Sequence, residues 1–378
     1  MNFYKINSTN HLELFSKIGC DDVGAKIMAK KAKIHMLYIK DIHFGGANIL
    51  KQDALSIGAE LVVPKGAIIG ENQYVDAILI GTTKHFEILS KKELSQPFGL
   101  KTLAKELTSF IKTNKHSTKI MGVLNANDDS FFSNSRFNKS DAISRIEQMI
   151  SDGADIIDIG AVSSRPGSTM VSLDEELARI KDILSVIKEQ KLYDKAIFSI
   201  DSYTLDVVKL SLDSGFTIVN DITGLSNPKI AQIASEYNAS VVIMHMQKDP
   251  QTMQENPQYD DVMCEVNDFF ARRIEVAKEH GVKDIILDVG IGFGKNLDHN
   301  LTLIKNLEHF SHFGYEILLG ASRKSMINQI VPSSIEERLS GTLTIHLEGI
   351  KNGASIIRCH DVKEHHQAIK VLQKLNEI

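Results

Sequence analysis

Cysteine is scarce in this chain, and the three present, Cys20, Cys264 and Cys359, lie far apart. They form no paired motif, which argues against a disulfide framework or a zinc site and fits a reducing cytoplasm. No apolar run reaches the roughly 18 residues that a bilayer-spanning helix needs, so no membrane partner is expected. The opening MNFYKINSTNHLEL has no basic start followed by an apolar core, so no secretory signal is read there. HExxH, GxSxG and P-loop patterns are absent, and no GxGxxG follows the first strand of the main repeat. Metalloprotease, serine-hydrolase and nucleotide-cradle readings therefore have no support.

What is present is an ordinary soluble composition, 43% hydrophobic and 24% charged. At 378 residues the chain is long for one domain. Its charge is uneven. Residues 1–115 carry a balance of +5, and the remainder −10. A net-acidic catalytic half is a poor general binder of nucleic acid, so cations clustered inside it must serve a particular anion.

Residues 1–113 read as a separate small α/β domain whose role the sequence does not give. Asn48–Gly58 has a helix pattern ended by glycine. Glu60–Val63 and Ala77–Ile80 read as short strands. Leu100, Leu103, Leu107 and Phe110 recur at helical spacing over Leu100–Ile111. Gly45–Gly46 reads as a plain turn in preference to a ligand loop. Polar Lys112–Thr118 is the linker candidate, and 114–378 the catalytic domain.

From Lys119 the texture changes to eight apolar strands, each followed by a helix pattern: Ile120–Ala126, Asp155–Ala161, Ile197–Asp201, Thr217–Ile222, Val241–Met246, Ile285–Gly290, Ile317–Ser322 and Ser355–His360. Eight alternating units predict a (β/α)8 TIM barrel. A doubly wound open sheet is the fold alternative. The stretch Ile285–Lys295, IILDVGIGFGK, shows the logic most clearly. A buried strand delivers Asp288 where its apolar run stops, and Gly290, Gly292 and Gly294 let the backbone turn and approach a ligand.

A barrel keeps its site at the carboxyl ends of its strands. Those ends supply Asn125, Ser163–Arg165, Asp201, Asn220–Asp221, Met246, Asp288, Ser322–Lys324, Arg358 and His360. Two chemistries separate here. Asp201, Asn220 and Asp288 suit a flat heterocycle with several N–H and C=O groups, because a carboxylate facing an amino-pyrimidine edge is a strong directional pair. Structural caps or salt bridges are the alternative for each. Arg165, Lys324, Arg358 and His360 suit phosphate or pyrophosphate; a surface ion-pair network is their alternative. Ser325 opens a helix whose N-terminus can hold an anion. Asn125 can offer an oxygen to Mg2+, which prefers substrate phosphates plus one or two protein oxygens. His245 reads as buried and hydrogen-bonded, and His365–His366 as solvated.

Together, IMGVLNANDDSF, GADIIDIGAVSSRPGS, IDSYTLDVV, VNDITG, ILDVGIGFGK, LGASRKS and RCHDV resemble, in order, the motifs of the dihydropteroate synthase family. The resemblance spans about Lys119–Lys370. It implies condensation of 6-hydroxymethyl-7,8-dihydropterin pyrophosphate with 4-aminobenzoate, releasing pyrophosphate. By motif it implies Asp201, Asn220, Asp288 and Lys324 on the pterin, together with Met246 and Gly290 in the substrate pocket. Asn125, Arg358 and His360 fall to the pyrophosphate, with Mg2+ on the Asn125 side. Ser164, Arg165, Pro166 and Ser325 fall around 4-aminobenzoate. The chain departs from the family's NVTPDSFSDGG at Asn127-Asp128 and Ser133, and has Val162 for Glu and Val289 for Pro. The carboxylate facing the developing pterin cation then falls to Asp129, which keeps the Asp-Ser-Phe register, or to Asp128. Two rival readings are a methyltetrahydrofolate-binding methyltransferase domain, which needs no pyrophosphate clamp, and a non-catalytic pterin-binding protein. The sequence does not fix the oligomeric state; a homodimer is compatible with it.

Overall fold

The structure, a computed structural model, describes residues 1–6, 10–112, 116–125, 139–161, 172–249 and 251–377. The chain divides into two compact units, one mainly of residues 1–114 and the other mainly of residues 115–371.

The first unit is built on three antiparallel strands, β1 (Ile34–His43), β2 (Glu60–Val62) and β3 (Tyr74–Thr82), in the order β1-β3-β2. Helices Phe44–Ser56, Thr83–Lys92 and Leu100–Ile111 contribute to its core, with Leu50, Leu61, Leu79, Phe86, Leu89 and Leu107 buried together. The helix over Leu100–Ile111 falls where its leucine spacing places it. The first of these helices starts at Phe44, four residues before the sequence reading. Gly45 and Gly46 thus lie in its first turn instead of forming a free turn. Their bareness has a packing reason: a Cβ on Gly45 would meet the Phe98 ring at 3.0 Å, and that ring stacks on His43 at 4.6 Å.

The second unit is a closed barrel of eight parallel strands. They are β4 (Lys119–Asn125), β5 (Ile156–Gly160), β6 (Ile197–Asp201), β7 (Ile218–Asp221), β8 (Ser240–Met244), β9 (Ile285–Asp288), β10 (Glu316–Leu319) and β11 (Ile356–Cys359). β11 pairs with β4 and closes the ring. Sequential strands pair throughout, as right-handed βα units dictate. The barrel expectation holds, and the open-sheet alternative falls.

Alternation along each strand sends every second side chain inward. The lowest inward tier is Met121, Ile156, Ile218, Val242, Ile286, Leu318 and Ile356, a single buried apolar cluster. Two residues further along five of those strands stand Asp158, Asn220, Met244, Asp288 and Arg358. The barrel is therefore plugged below and polar above. No helix among the described residues is long and apolar enough to cross a membrane.

Candidate active site

The upper tier is held together by charge. Arg358, on β11, donates from Nε to Asp158 Oδ2 at 2.7 Å and from Nη2 to Asp201 Oδ2 at 2.7 Å. Asp158 is fully buried and Asp201 nearly so. Asp158 Oδ2 also accepts from Asn220 Nδ2 at 3.1 Å. Asn220 is thereby joined to Arg358, and through it to Asp201, by a fourth residue, Asp158, that the strand-end reading passed over. Arg358 does not stand open as one limb of an anion clamp, as expected from the sequence; here its guanidinium is shared by two carboxylates.

Burial is the main cause of the unusual protonation in this tier. It pushes the Asp201 carboxyl up to about 7, against the pull of Arg358 and with help from Asp158. Asp288 is also raised by burial, while the amide of Gly290 at 2.8 Å and the cations Lys324 and Arg358 oppose the shift. Lys324 is pushed down to about 7, again by burial, with Asp288 holding it up. Its ammonium lies 4.2 Å from the centre of the Phe293 ring and donates to the carbonyl of Ile291. A Cβ on Gly292 would stand 3.1 Å from the Lys324 side chain, so the glycine turn admits that lysine.

The turn itself requires glycine. Gly290 and Gly294 have φ of +66° and +61°, and a Cβ on Gly290 would meet the His245 carbonyl at 2.0 Å. A second residue missed from sequence holds the turn. Lys295 is 3% exposed, and its Nζ reaches the carbonyls of Gly290 (3.0 Å), Phe293 (2.9 Å) and His245 (3.2 Å) as well as His245 Nδ1 (2.9 Å). Four acceptors around one ammonium make it an internal staple between the turn and the end of β8. His245 is buried and hydrogen-bonded, as expected.

On the other side of Lys324, Ser322 Oγ lies 2.9 Å from His360 Nδ1 and accepts from the His360 amide at 3.3 Å. Arg323, at φ +55°, fixes this turn by a two-point pair with Asp361 at 2.9 and 2.5 Å. Behind it runs a histidine chain. The amide of Ala321 donates to His346 Nε2 at 3.0 Å, His346 Nδ1 lies 2.8 Å from His365 Nε2, and His365 Nδ1 lies 2.6 Å from the Asp361 carbonyl. Since His346 Nε2 accepts, its Nδ1 carries the proton, and the same logic passes to His365. His365 is 1% exposed, which corrects the solvated reading. The pattern of a surface helix hid it because its partner comes from another helix.

Asn125 ends β4, half-buried. A Cβ on Gly160 would stand 3.6 Å from Asp201 Oδ2 and 3.8 Å from Asn125 Oδ1, so these two oxygens lie on either side of β5 at its carboxyl end. Met246 lies two residues past the end of β8, not on the strand. Ser325 begins a helix of only six residues and is exposed, and no side-chain cap closes that helix. Asp128, Asp129, Val162, Ser164, Arg165 and Pro166 lie outside the described residues.

Comparison with known proteins adds the following. The profile of the pterin binding enzyme family matches residues 121–360. A bifunctional dihydropteroate synthase/dihydropteroate reductase from Helicobacter pylori is 41% identical over 362 residues, covering 96% of this chain and 95% of its own. The dihydropteroate synthase of Escherichia coli K12 is 42% identical over 257 residues, covering 67% of this chain and 90% of its own. A crystal structure of dihydropteroate synthase from Clostridium difficile, determined in the presence of pteroic acid, superposes with a TM-score of 0.64 at 39% identity, over 71% of this chain and 99% of that one.

Proposed function

The chain belongs to the pterin binding enzymes, among their dihydropteroate synthases, and we propose that the upper tier of its barrel holds the pterin while the rim receives the pyrophosphate. The observation that carries this is the set of buried acceptors Asp201, Asn220 and Asp288 at one end of one barrel. A heterocycle edge rich in N–H groups satisfies them; water alone would leave the carboxylates at the raised affinity for protons that burial gives them. Lys324 faces the pterin carbonyl side. His360 and Arg358 receive the pyrophosphate, and Ser164, Arg165, Pro166 and Ser325 surround 4-aminobenzoate.

The donor set near Asn125 fits Mg2+. One amide oxygen beside a carboxylate is hard-oxygen chemistry, and this ion takes most of its ligands from phosphate and water. When bound there it would neutralise charge on the departing pyrophosphate. The chain's own residues orient the two substrates. The carbon–oxygen bond from the pterin methylene to pyrophosphate breaks, and its electron pair leaves with pyrophosphate. The aniline nitrogen forms the new bond to that carbon and loses one proton to solvent. Cations preorganised at the leaving group stabilise the charge that builds there. No protein nucleophile is needed, so the methyltransferase reading and the non-catalytic reading both lose their motive. The test is to mix both substrates with Mg2+ and follow pyrophosphate. Stoichiometric release with dihydropteroate is expected; binding of pterin without release would return the non-catalytic reading.

A second activity has one observation in its favour. The bifunctional relative is matched over 96% of this chain, and the synthase from E. coli over 67%. The family profile begins at residue 121. The first unit is thus shared with a relative named also as a reductase. The reading is that this chain too reduces its product, adding a hydride and a proton across a carbon–nitrogen double bond, with the hydride from a bound donor. Dihydropteroate offered to the full chain with reduced nicotinamide or reduced flavin should give the tetrahydro form. No consumption of either donor would remove the reading.

A further inference from the structure

Beneath the proposed substrate contacts, one carboxylate holds two of them. We infer that Asp158 is the positioning residue that decides which face Asn220 presents to the pterin and which edge Arg358 turns to the pyrophosphate. The inference rests on the pocket reading above and deepens it.

Asn220 carries a donor end and an acceptor end. Asp158 Oδ2 accepts from Arg358 Nε at 2.7 Å, and an oxygen that accepts from a guanidinium takes the amide nitrogen of Asn220, not its oxygen, at 3.1 Å. The amide oxygen of Asn220 must then face the other way. With Asp201 and Asp288, the mouth becomes uniformly an acceptor surface at these three positions, which is what an edge rich in N–H groups requires. Arg358 is fixed by the same oxygen. Its Nε edge is committed to a fully buried carboxylate, while its Nη2 is committed to Asp201, which is 8% exposed. A ligand that claims Asp201 displaces only the second contact. Asp158 keeps the guanidinium in register while that exchange happens.

Stability does not explain Asp158. Its Oδ1 is buried without a hydrogen-bond partner among the described residues, and so is the hydroxyl of Ser199, its register neighbour on β6. A buried carboxylate with one orphaned oxygen costs the fold free energy. An amide at this position keeps the volume and removes the charge. Its oxygen stays against Arg358 Nε and Asn220 Nδ2, because a guanidinium cannot accept, but as an uncharged and weaker acceptor whose hold on both is loosened.

The test uses the full chain and 6-hydroxymethyl-7,8-dihydropterin pyrophosphate. Asp158→Asn takes away one of the two carboxylates that share Arg358, so some loss of stability is expected with it; in the folded variant the KM for the pterin should rise about tenfold, roughly the difference between a charged and a neutral hydrogen bond. The KM for 4-aminobenzoate is expected to stay within about twofold. A merely structural residue would lower the melting temperature and raise the KM for both substrates alike; that outcome overturns the inference. An unchanged pterin KM in Asp158→Asn overturns it too, provided Asp288→Asn weakens the pterin. If both single variants leave the pterin untouched, the pocket reading fails and takes this inference with it.

Discussion

Two tiers of the same barrel, one pleat apart, do opposite work. The lower tier, Met121, Ile156, Ile218, Val242, Ile286, Leu318 and Ile356, is wholly apolar and buried. The tier above places Asp158, Asn220 and Asp288, all buried, and Arg358, half-buried, on the same strands. Burial stabilises the first set by removing apolar surface from water. It destabilises the second, and shows as carboxyls raised and Lys324 lowered in proton affinity. A chain selected for stability alone would continue the plug upward. The upper tier carries instead the polar residues proposed to meet the pterin.

The largest effect should come from breaking the upper tier's balance. Arg358→Met leaves Asp158 and Asp201 without their shared cation. Removing one side of a buried ion pair typically costs about 3–5 kcal/mol, so denaturant unfolding of the barrel should shift by that order. Adding Asp158→Asn to it should return part of the loss, since one stranded charge disappears. A neutral Arg358→Met would mean the upper tier is wetter than its burial says.

The lower tier sharpens the contrast from the other side. Leu318→Ala removes a fully buried side chain from the plug. Such deletions cost about 2–5 kcal/mol, and here the pterin KM of the folded fraction should stay within about twofold, because no polar contact above it is lost. A large rise in KM with little change in unfolding would show that the two tiers are coupled, and the division of labour would fail.

How far the tiers could be read beforehand depends on where each polar residue sits in its strand. Asp201, Asn220 and Asp288 close apolar runs, so alternation and the barrel rule placed them. Asp158 lies inside one, in Ile156-Ile157-Asp158-Ile159, and was passed over although a lone charge within an apolar strand is itself the signal. Lys295 was passed over, and His365 was misjudged as solvated because exposure was inferred from local pattern while its partner, His346, comes from another helix. In the first unit, β1 was not read at all. Its two faces are both partly apolar, with Leu37 and Ile39 packed on the core and Met36 and Tyr38 exposed, and a strand without clean alternation carries little period-2 signal.

Next in size is the staple beneath the glycine turn. Lys295→Met keeps the length of the side chain but strands the carbonyls of Gly290, Phe293 and His245 that now share one ammonium. Buried acceptors left unpaired cost about 1–3 kcal/mol. Because the turn carries Phe293 and the carbonyl that Lys324 uses, the expected readout is weaker pterin binding, by about tenfold, in calorimetry of the folded variant. Unchanged affinity with lowered stability would make Lys295 part of the lower tier's business, a residue of the fold alone.

The smallest effect has the clearest sign. Asp201 is raised in the fold from 3.8 to about 7, so the folded state holds its proton more tightly than the unfolded chain does. That group therefore subtracts nothing from stability below about pH 4. It subtracts progressively more as pH rises toward 7, and the full amount above. Pterin binding runs the other way, because only the ionised carboxylate accepts two N–H bonds. Stability and affinity should cross within one pH window. With 6-hydroxymethyl-7,8-dihydropterin as the probe, so that no phosphate titrates, affinity should fall about threefold from pH 7.5 to 6.5, as a single site near 7 dictates. Lys324 gains its proton over the same range and becomes the stronger donor, which makes about threefold the upper bound of the fall. Asp201→Asn should flatten both curves while lowering affinity at pH 7.5. If affinity instead rises as pH falls, the pterin meets a protonated Asp201, and the upper tier presents a donor where an acceptor is expected.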